Sequence, residues 1–408
     1  MDQAAPTRFT PPALFGLCAT KGLTTGIVSV AFPFIAARQG LSMAAIGTVV
    51  GLTALAATVK LIATPVVDLG GTMRGWVVGM TLVSAVLTAA LLIVPITPAT
   101  IGPIALLAFA GALTAEIASI AIGGLLALTV DPRRLGAASA YYQGGILVFQ
   151  GLGGGFALWA ATHWGLAVTG AILGLVALLP AVAMLGATEP HRPHLAADFG
   201  GRLAAIGRDL AALARVPRSR YVLVAFCTPI GVGGASYLWS GVASDWGASA
   251  DLVSLATGVG AALVSALGAL VYGRVVDRFD RIASFLVSGL VLVGAALLVV
   301  LLPRTPFCFA ATTLIYAFFM GFSYTAFTAL QYETVGSGAA ASKGALLNAV
   351  GNLPVAYMPA LLGLAQTRGS TSAMLWCEIG VTTAFIAGFA LLRPRHALAR
   401  NPAAPALG

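Results

Sequence analysis

The chain has 408 residues, 59% of them hydrophobic and only 9% charged, with 49 glycines and a formal charge of +9. That composition excludes a water-soluble globular protein of this size and points to a polytopic membrane protein. Cys18, Cys227, Cys308 and Cys377 all fall in apolar segments without paired spacing, so they read as small core residues, neither disulfides nor metal ligands.

A helix needs about 20 mostly apolar residues to cross a bilayer. Twelve such segments are predicted, at 13–37, 42–67, 76–97, 101–129, 138–161, 165–187, 220–244, 251–275, 283–302, 306–331, 342–366 and 372–392. The first is too long and too polar at its centre for a cleavable signal peptide, and it is expected to be retained. It carries Lys21 within LCATKGLTTG. A charge at the helix centre costs about 2.5–3.5 kcal/mol, whereas each Leu, Ile, Val or Phe returns only about 0.3–0.6. Cys18, Lys21, Thr25 and Ser29 recur at three- and four-residue steps, so one face of this helix should look into protein or water.

The second segment places Lys60 eight residues before Asp68, with Arg74 beyond it. Snorkelling to the membrane surface and service as a second cavity cation are both open to Lys60. In the fourth segment Glu116 shares a side with Ser119 and Gly123; it is expected to face Lys21 and is the candidate proton carrier. Two lysines against one glutamate would make an electropositive chamber suited to carboxylates or phosphates. Gln143 and Gln150 lie seven apart in the fifth segment.

The longest polar stretch follows, dividing the chain into an N-terminal part (1–187), a linker (188–219) and a C-terminal part (220–408). Phe199, Leu203, Ile206, Leu210 and Leu213 recur with helical spacing among arginines, predicting a short amphipathic helix on the membrane surface. His191 and His194 lack accompanying thiols or carboxylates and read as linker, not as a metal site. In the tenth segment Tyr316, Met320, Tyr324, Phe327 and Gln331 trace one stripe; in the eleventh, Asn348 and Asn352 precede Pro354, where a kink is expected. These polar and aromatic residues are candidates for solute contact, with interhelical hydrogen bonding as the alternative. Glu378, near the outer end of the twelfth segment, reads as interfacial.

If the N-terminus is cytoplasmic, inside loops and tails carry 17 of the 22 Lys and Arg residues and outside loops only Arg38, Arg304 and Arg368. Both termini are therefore expected inside, and this asymmetry accounts for the positive charge without any nucleic acid. The tripeptide VVD recurs with Asp68 and Asp277 separated by 209 residues, each followed by arginines: Arg74 in one copy, Arg278 and Arg281 in the other. Repetition of a six-helix unit is one known transporter organisation.

YGRVVDRFDR, residues 272–281, resembles the signature loop of the major facilitator superfamily, and ATPVVDLGGTMR is a more divergent first copy. Ser42, Ile46, Gly47, Lys60, Pro65 and Asp68 are similar to the second helix of muropeptide permeases and acetyl-CoA transporters, a neighbourhood that includes ferric siderophore permeases. The resemblance implies an all-α integral membrane fold, twelve helices in two pseudo-symmetric six-helix bundles, with helices one, four, seven and ten lining a central cavity. It further implies alternating access, with Asp68, Arg74, Asp277, Arg278 and Arg281 forming a cytoplasmic gate. The expected protein is a monomeric bacterial inner-membrane permease that imports a small anionic solute with protons, without a cofactor. Export of drugs or metabolites is the alternative. No GxxxxGK[ST] motif is present to suggest ATP hydrolysis. His163, His191, His194 and His396 lie in loops or tails, which disfavours a membrane-embedded enzyme.

Overall fold

The computed structural model describes residues 11–69, 71–129, 135–185, 199–276, 279–335 and 340–391, and among these there is no β-strand. Among the described residues, eleven helices are long and apolar enough to cross a bilayer. In chain order, crossings α1 to α6 are Ala19–Arg38, Met43–Leu69, Met73–Ile93, Ile101–Thr129, Leu135–His163 and Leu166–Ala183. A linker helix, Phe199–Arg215, comes next, where the amphipathic pattern predicts one, and Leu213 on it is buried against Val222, Phe226 and Leu347. Crossings α8 to α10 are Ala250–Arg274, Arg281–Leu301 and Pro306–Val335, and α12 is Thr371–Leu391.

The seventh crossing, α7, is broken, which corrects the continuous span expected at 220–244. Pro217 opens its first half, Pro217–Phe226, at a position that needs no N–H donor. Pro229 then interrupts the ladder, and Gly231 (φ 76°) and Gly233 (φ 60°) take left-handed conformations open to glycine. Beyond the break the chain winds as tight 3₁₀ turns, Gly234–Tyr237 and Trp239–Trp246. Some backbone groups freed here find side chains: Tyr357 Oη donates to the Cys227 carbonyl at 2.9 Å, and Ser236 Oγ to that of Gly233 at 2.7 Å. The eleventh crossing, α11, also divides, into Ala340–Gly351 and Leu353–Arg368, and Asn352 Nδ2 donates to the Asn348 carbonyl at 2.8 Å.

The start of α1, the helix Phe199–Arg215 and the end of α12 mark one face of the molecule; the α1–α2 and α11–α12 turns mark the distal face. Toward the distal face the first six crossings meet the last six through glycine. A Cβ on Gly47 would sit 2.1 Å from the Pro359 carbonyl oxygen, one on Gly51 2.1 Å from that of Ala356, and one on Gly363 2.1 Å from that of Met43. The α2–α11 contact is therefore backbone against backbone, as small-xxx-small spacing permits. Gly151 and Gly155 on α5 play the same part against Gly258 on α8. Ser254 Oγ adds a hydrogen bond to the Gly155 carbonyl at 2.7 Å. At the distal ends of α1 and α7, Gly241 packs on Met43 and the Pro33 carbonyl.

Candidate functional site

Between these sealed helices lies a cavity of about 140 Å³. Its polar and aromatic lining includes Ser29 and Gln150 of the first six crossings and Tyr237, Trp239, Tyr316 and Tyr324 of the last six. Two local irregularities border it. Residues Ile27–Ala31 of α1 form a π-turn, explained by Pro33, which lacks the N–H that would bond the Ser29 carbonyl. Residues Ser254–Gly260 of α8 form another, with Thr257 and Gly258 on the cavity wall. Trp239, just beyond the break in α7, donates from Nε1 to Thr313 Oγ1 on α10 at 2.6 Å, which fixes its ring at the cavity edge.

From Ser29 a polar stripe runs down α1 toward the terminal face. Ser29 Oγ donates to the Thr25 carbonyl at 2.8 Å and Thr25 Oγ1 to that of Lys21 at 3.0 Å. Lys21 lies two turns, or about 12 Å, from Ser29 along the axis. There its ammonium meets Glu116: Nζ is 3.1 Å from Oε1 and 3.1 Å from Oε2. Lys60 of α2 completes a triad, its Nζ 2.7 Å from Glu116 Oε2. Glu116 is 8% exposed, and both lysines are held mostly inside the bundle. Snorkelling does not describe Lys60, since its head group points to a carboxylate on a neighbouring crossing. The cluster sets two lysine side chains against one carboxylate. One turn nearer the terminal face, Ser119 and Tyr142 hydroxyls lie 2.6 Å apart, linking α4 to α5.

Other expected residues divide. Tyr316, Tyr324, Met320 and Gln150 line the cavity. Phe327 and Gln331 leave the α10 stripe: Phe327 stacks near Phe226 at 4.4 Å between centroids, and Gln331 Nε2 donates to the Gly344 carbonyl. Asn348 and Asn352 serve the division of α11, not the cavity wall. The side chains of Gln143 and Asp68, and all of Asp277 and Arg278, lie outside the described residues. Glu378 corrects the interfacial reading. It is 5% exposed, and its Oε1 accepts from the Ala235 backbone N–H at 3.1 Å and from Tyr316 Oη at 2.9 Å.

Of the expected gate residues, Arg74 Nη2 reaches the Leu185 carbonyl at 3.5 Å. Arg281 joins a cluster that loop spacing alone did not indicate. Its Nε is 3.3 Å from Glu333 Oε2, and its Nη1 donates to the Ala329 carbonyl at 3.2 Å. Arg218 bonds Glu333 and lies 3.4 Å from Asp280 Oδ2, while Asp280 caps α9 by accepting from Ala283 N–H at 2.9 Å. All four belong to the last six crossings, so the cluster braces α7, α9 and α10 against one another. Glu333→Gln is expected to lower stability by about 1–2 kcal/mol, read as an earlier thermal transition of the purified protein.

Residues 221–407 match the family model described as Major Facilitator Superfamily. The whole chain is similar in fold to solved transporters. For a D-xylose-proton symporter the TM-score is 0.66 at 15% identity, covering 92% of this chain and 96% of that one. A bacterial homolog of the human lysosomal transporter Spinster, inward-facing and occupied, gives 0.65 at 16%, covering 94% and 93%. A nucleoside transporter gives 0.68 at 13%, covering 94% and 100%. The fold is thus of the major facilitator type, and the family match covers residues 221–407 of the 408.

Proposed function

We propose that this protein is a secondary transporter that carries a small anionic solute into the bacterial cytoplasm by alternating access, with both termini on the cytoplasmic side of the inner membrane. The observation that carries the reading is the Lys21–Glu116–Lys60 triad, a buried cluster of two lysines and one carboxylate, followed along α1 by the polar residues that lead to the aromatic cavity. In a low-dielectric, partly wetted site such an excess favours a carboxylate or phosphate over a neutral isostere. With the distal face outside, the glycine-sealed contacts make this an inward-facing state. The fold's neighbours, a sugar symporter and a nucleoside transporter among them, support solute transport in general and no particular substrate.

The cavity is smaller than the roughly 300–1,000 Å³ that surrounds a drug-sized ligand. A bulkier solute therefore occupies the space toward Lys21 as well, with its apolar or planar part against Tyr237, Trp239 and Tyr316 and its anionic part at the lysines. Ferric siderophore complexes and peptidoglycan fragments have this combination, and resemblance along α2 favours them. The aromatic lining by itself suits outward movement of a lipophilic drug; the surplus lysine favours the anion.

Proteoliposomes holding the purified full chain test the reading. Radiolabelled ferric siderophores and anhydro-muropeptides should include one solute that accumulates under an imposed proton gradient and stops when the gradient is collapsed. Failure of every anion, with movement of a lipophilic cation instead, contradicts it.

A further inference from the structure

Glu378 lies outside the triad and behind the cavity wall. Its Oε1 accepts two hydrogen bonds, from the Ala235 backbone just past the break in α7 and from Tyr316, whose ring lines the cavity. Its Oε2 is buried and makes no hydrogen bond of ordinary geometry, although the Gly234 backbone also approaches the carboxyl group. Glu378 borders a small void of about 10 Å³, also lined by Pro229, Gly231 and Gly233 of the break, Leu292 and Val293 of α9, Tyr316 and Thr382. The titratable groups near it are Tyr316 from α10, Tyr237 beyond it and Cys377 on its own helix. No salt bridge reaches it among the described residues.

A carboxylate without a cation in a membrane-embedded core is costly, and taking up a proton removes the charge. The void is roughly the size of one water and has a largely apolar wall, which is lean in oxygen for a metal cation. Glu116 differs: both its oxygens already face ammonium groups.

We infer that Glu378 is a proton-binding site that couples protonation to the broken α7. The inference deepens the transporter reading and rests on it. Proton transfer here makes one O–H bond at a carboxylate oxygen and breaks one in water, with no redox change. The consequence reaches the distal seal, because Glu378 holds Ala235, at the start of the segment that carries Trp239 and Gly241 against α10 and α1.

The test uses the full-length protein in nanodiscs, without solute. Infrared spectra should show a protonated-carboxyl stretch that vanishes on alkalinisation, is lost in Glu378→Gln and persists in Glu333→Gln. Spin labels at Gln39 and Ser249, with native cysteines replaced, should show a distance distribution that changes with pH and stops doing so in Glu378→Gln. Tyr316→Phe, which keeps the carboxyl, should move the midpoint of the infrared titration and stands in if Glu378→Gln fails to fold. A band unaffected by either variant overturns the inference, as does a carboxyl signal that responds to sodium but not to pH. Neither readout involves transport, so the transporter reading stands or falls separately in proteoliposomes.

Discussion

Glu116→Gln is expected to destabilise the protein by about 3–5 kcal/mol, because it removes the carboxylate that Lys21 and Lys60 share inside the bundle. Both oxygens of Glu116 are in use, and its partners come from α1 and α2. The substitution therefore loosens three crossings of the first six at once. Lys60→Met should behave differently. It leaves a balanced Lys21–Glu116 pair, so its stability cost stays near that of one charged hydrogen bond, about 1.5–3 kcal/mol. Yet it removes the surplus charge on which anion recognition depends. Thermal unfolding of the purified variants should accordingly rank Glu116→Gln well below Lys60→Met, while uptake of the anion falls to background in both. Equal destabilisation would mean that the cluster only locks helices together.

Gly51→Val is expected to abolish transport while leaving each set of six crossings folded. A Cβ at Gly51 meets the Ala356 carbonyl oxygen at 2.1 Å, and that neighbour is backbone that cannot rotate away. Overpacking of this kind costs about 1–3 kcal/mol. Here the cost falls on the contact that closes the distal face, and about 2 kcal/mol shifts a two-state ratio roughly thirtyfold. Gly155→Val should act in the same direction on the α5–α8 contact, where the Ser254 carbonyl oxygen would lie 2.8 Å from the new Cβ. A cysteine at Ser29, on the cavity wall, reports the outcome. With native cysteines replaced, it should resist an impermeant maleimide added from the distal side, and become reactive once Gly51 is replaced by Val. Unchanged protection with full transport would show that the α2–α11 contact is not the seal.

The crossings were legible because hydropathy is a per-residue property and twenty apolar residues have few other fates. The meeting of Lys21 with Glu116 was legible for a related reason: a charge within an apolar segment demands a partner, and few were on offer. Lys60 stayed ambiguous because a lysine within about 12 Å of a helix end can reach either water or a carboxylate, and only packing decides. The break in α7 was written in TPIGVGGAS, where Pro229 and a run of glycines interrupt the apolar pattern, but total hydropathy there still reads as one span. Misplacing that break hid its consequences. Tyr237 and Trp239 carry no periodic signal that marks them as cavity residues, and Glu378 reads as interfacial from its distance to a helix end, whereas the freed Ala235 N–H supplies its partner. The Arg218–Glu333 contact joins residues 115 apart, beyond the reach of any local spacing rule.

Charge selectivity bears most directly on the transport account. Uptake of an anionic solute should be compared with that of its neutral ester or amide in proteoliposomes containing either wild-type protein or Lys60→Met. The wild type should favour the anion strongly, and Lys60→Met, still folded, should lose that preference. Equal uptake of both forms by the wild type, or an undiminished preference in Lys60→Met, would contradict a chamber that recognises its solute through the surplus lysine.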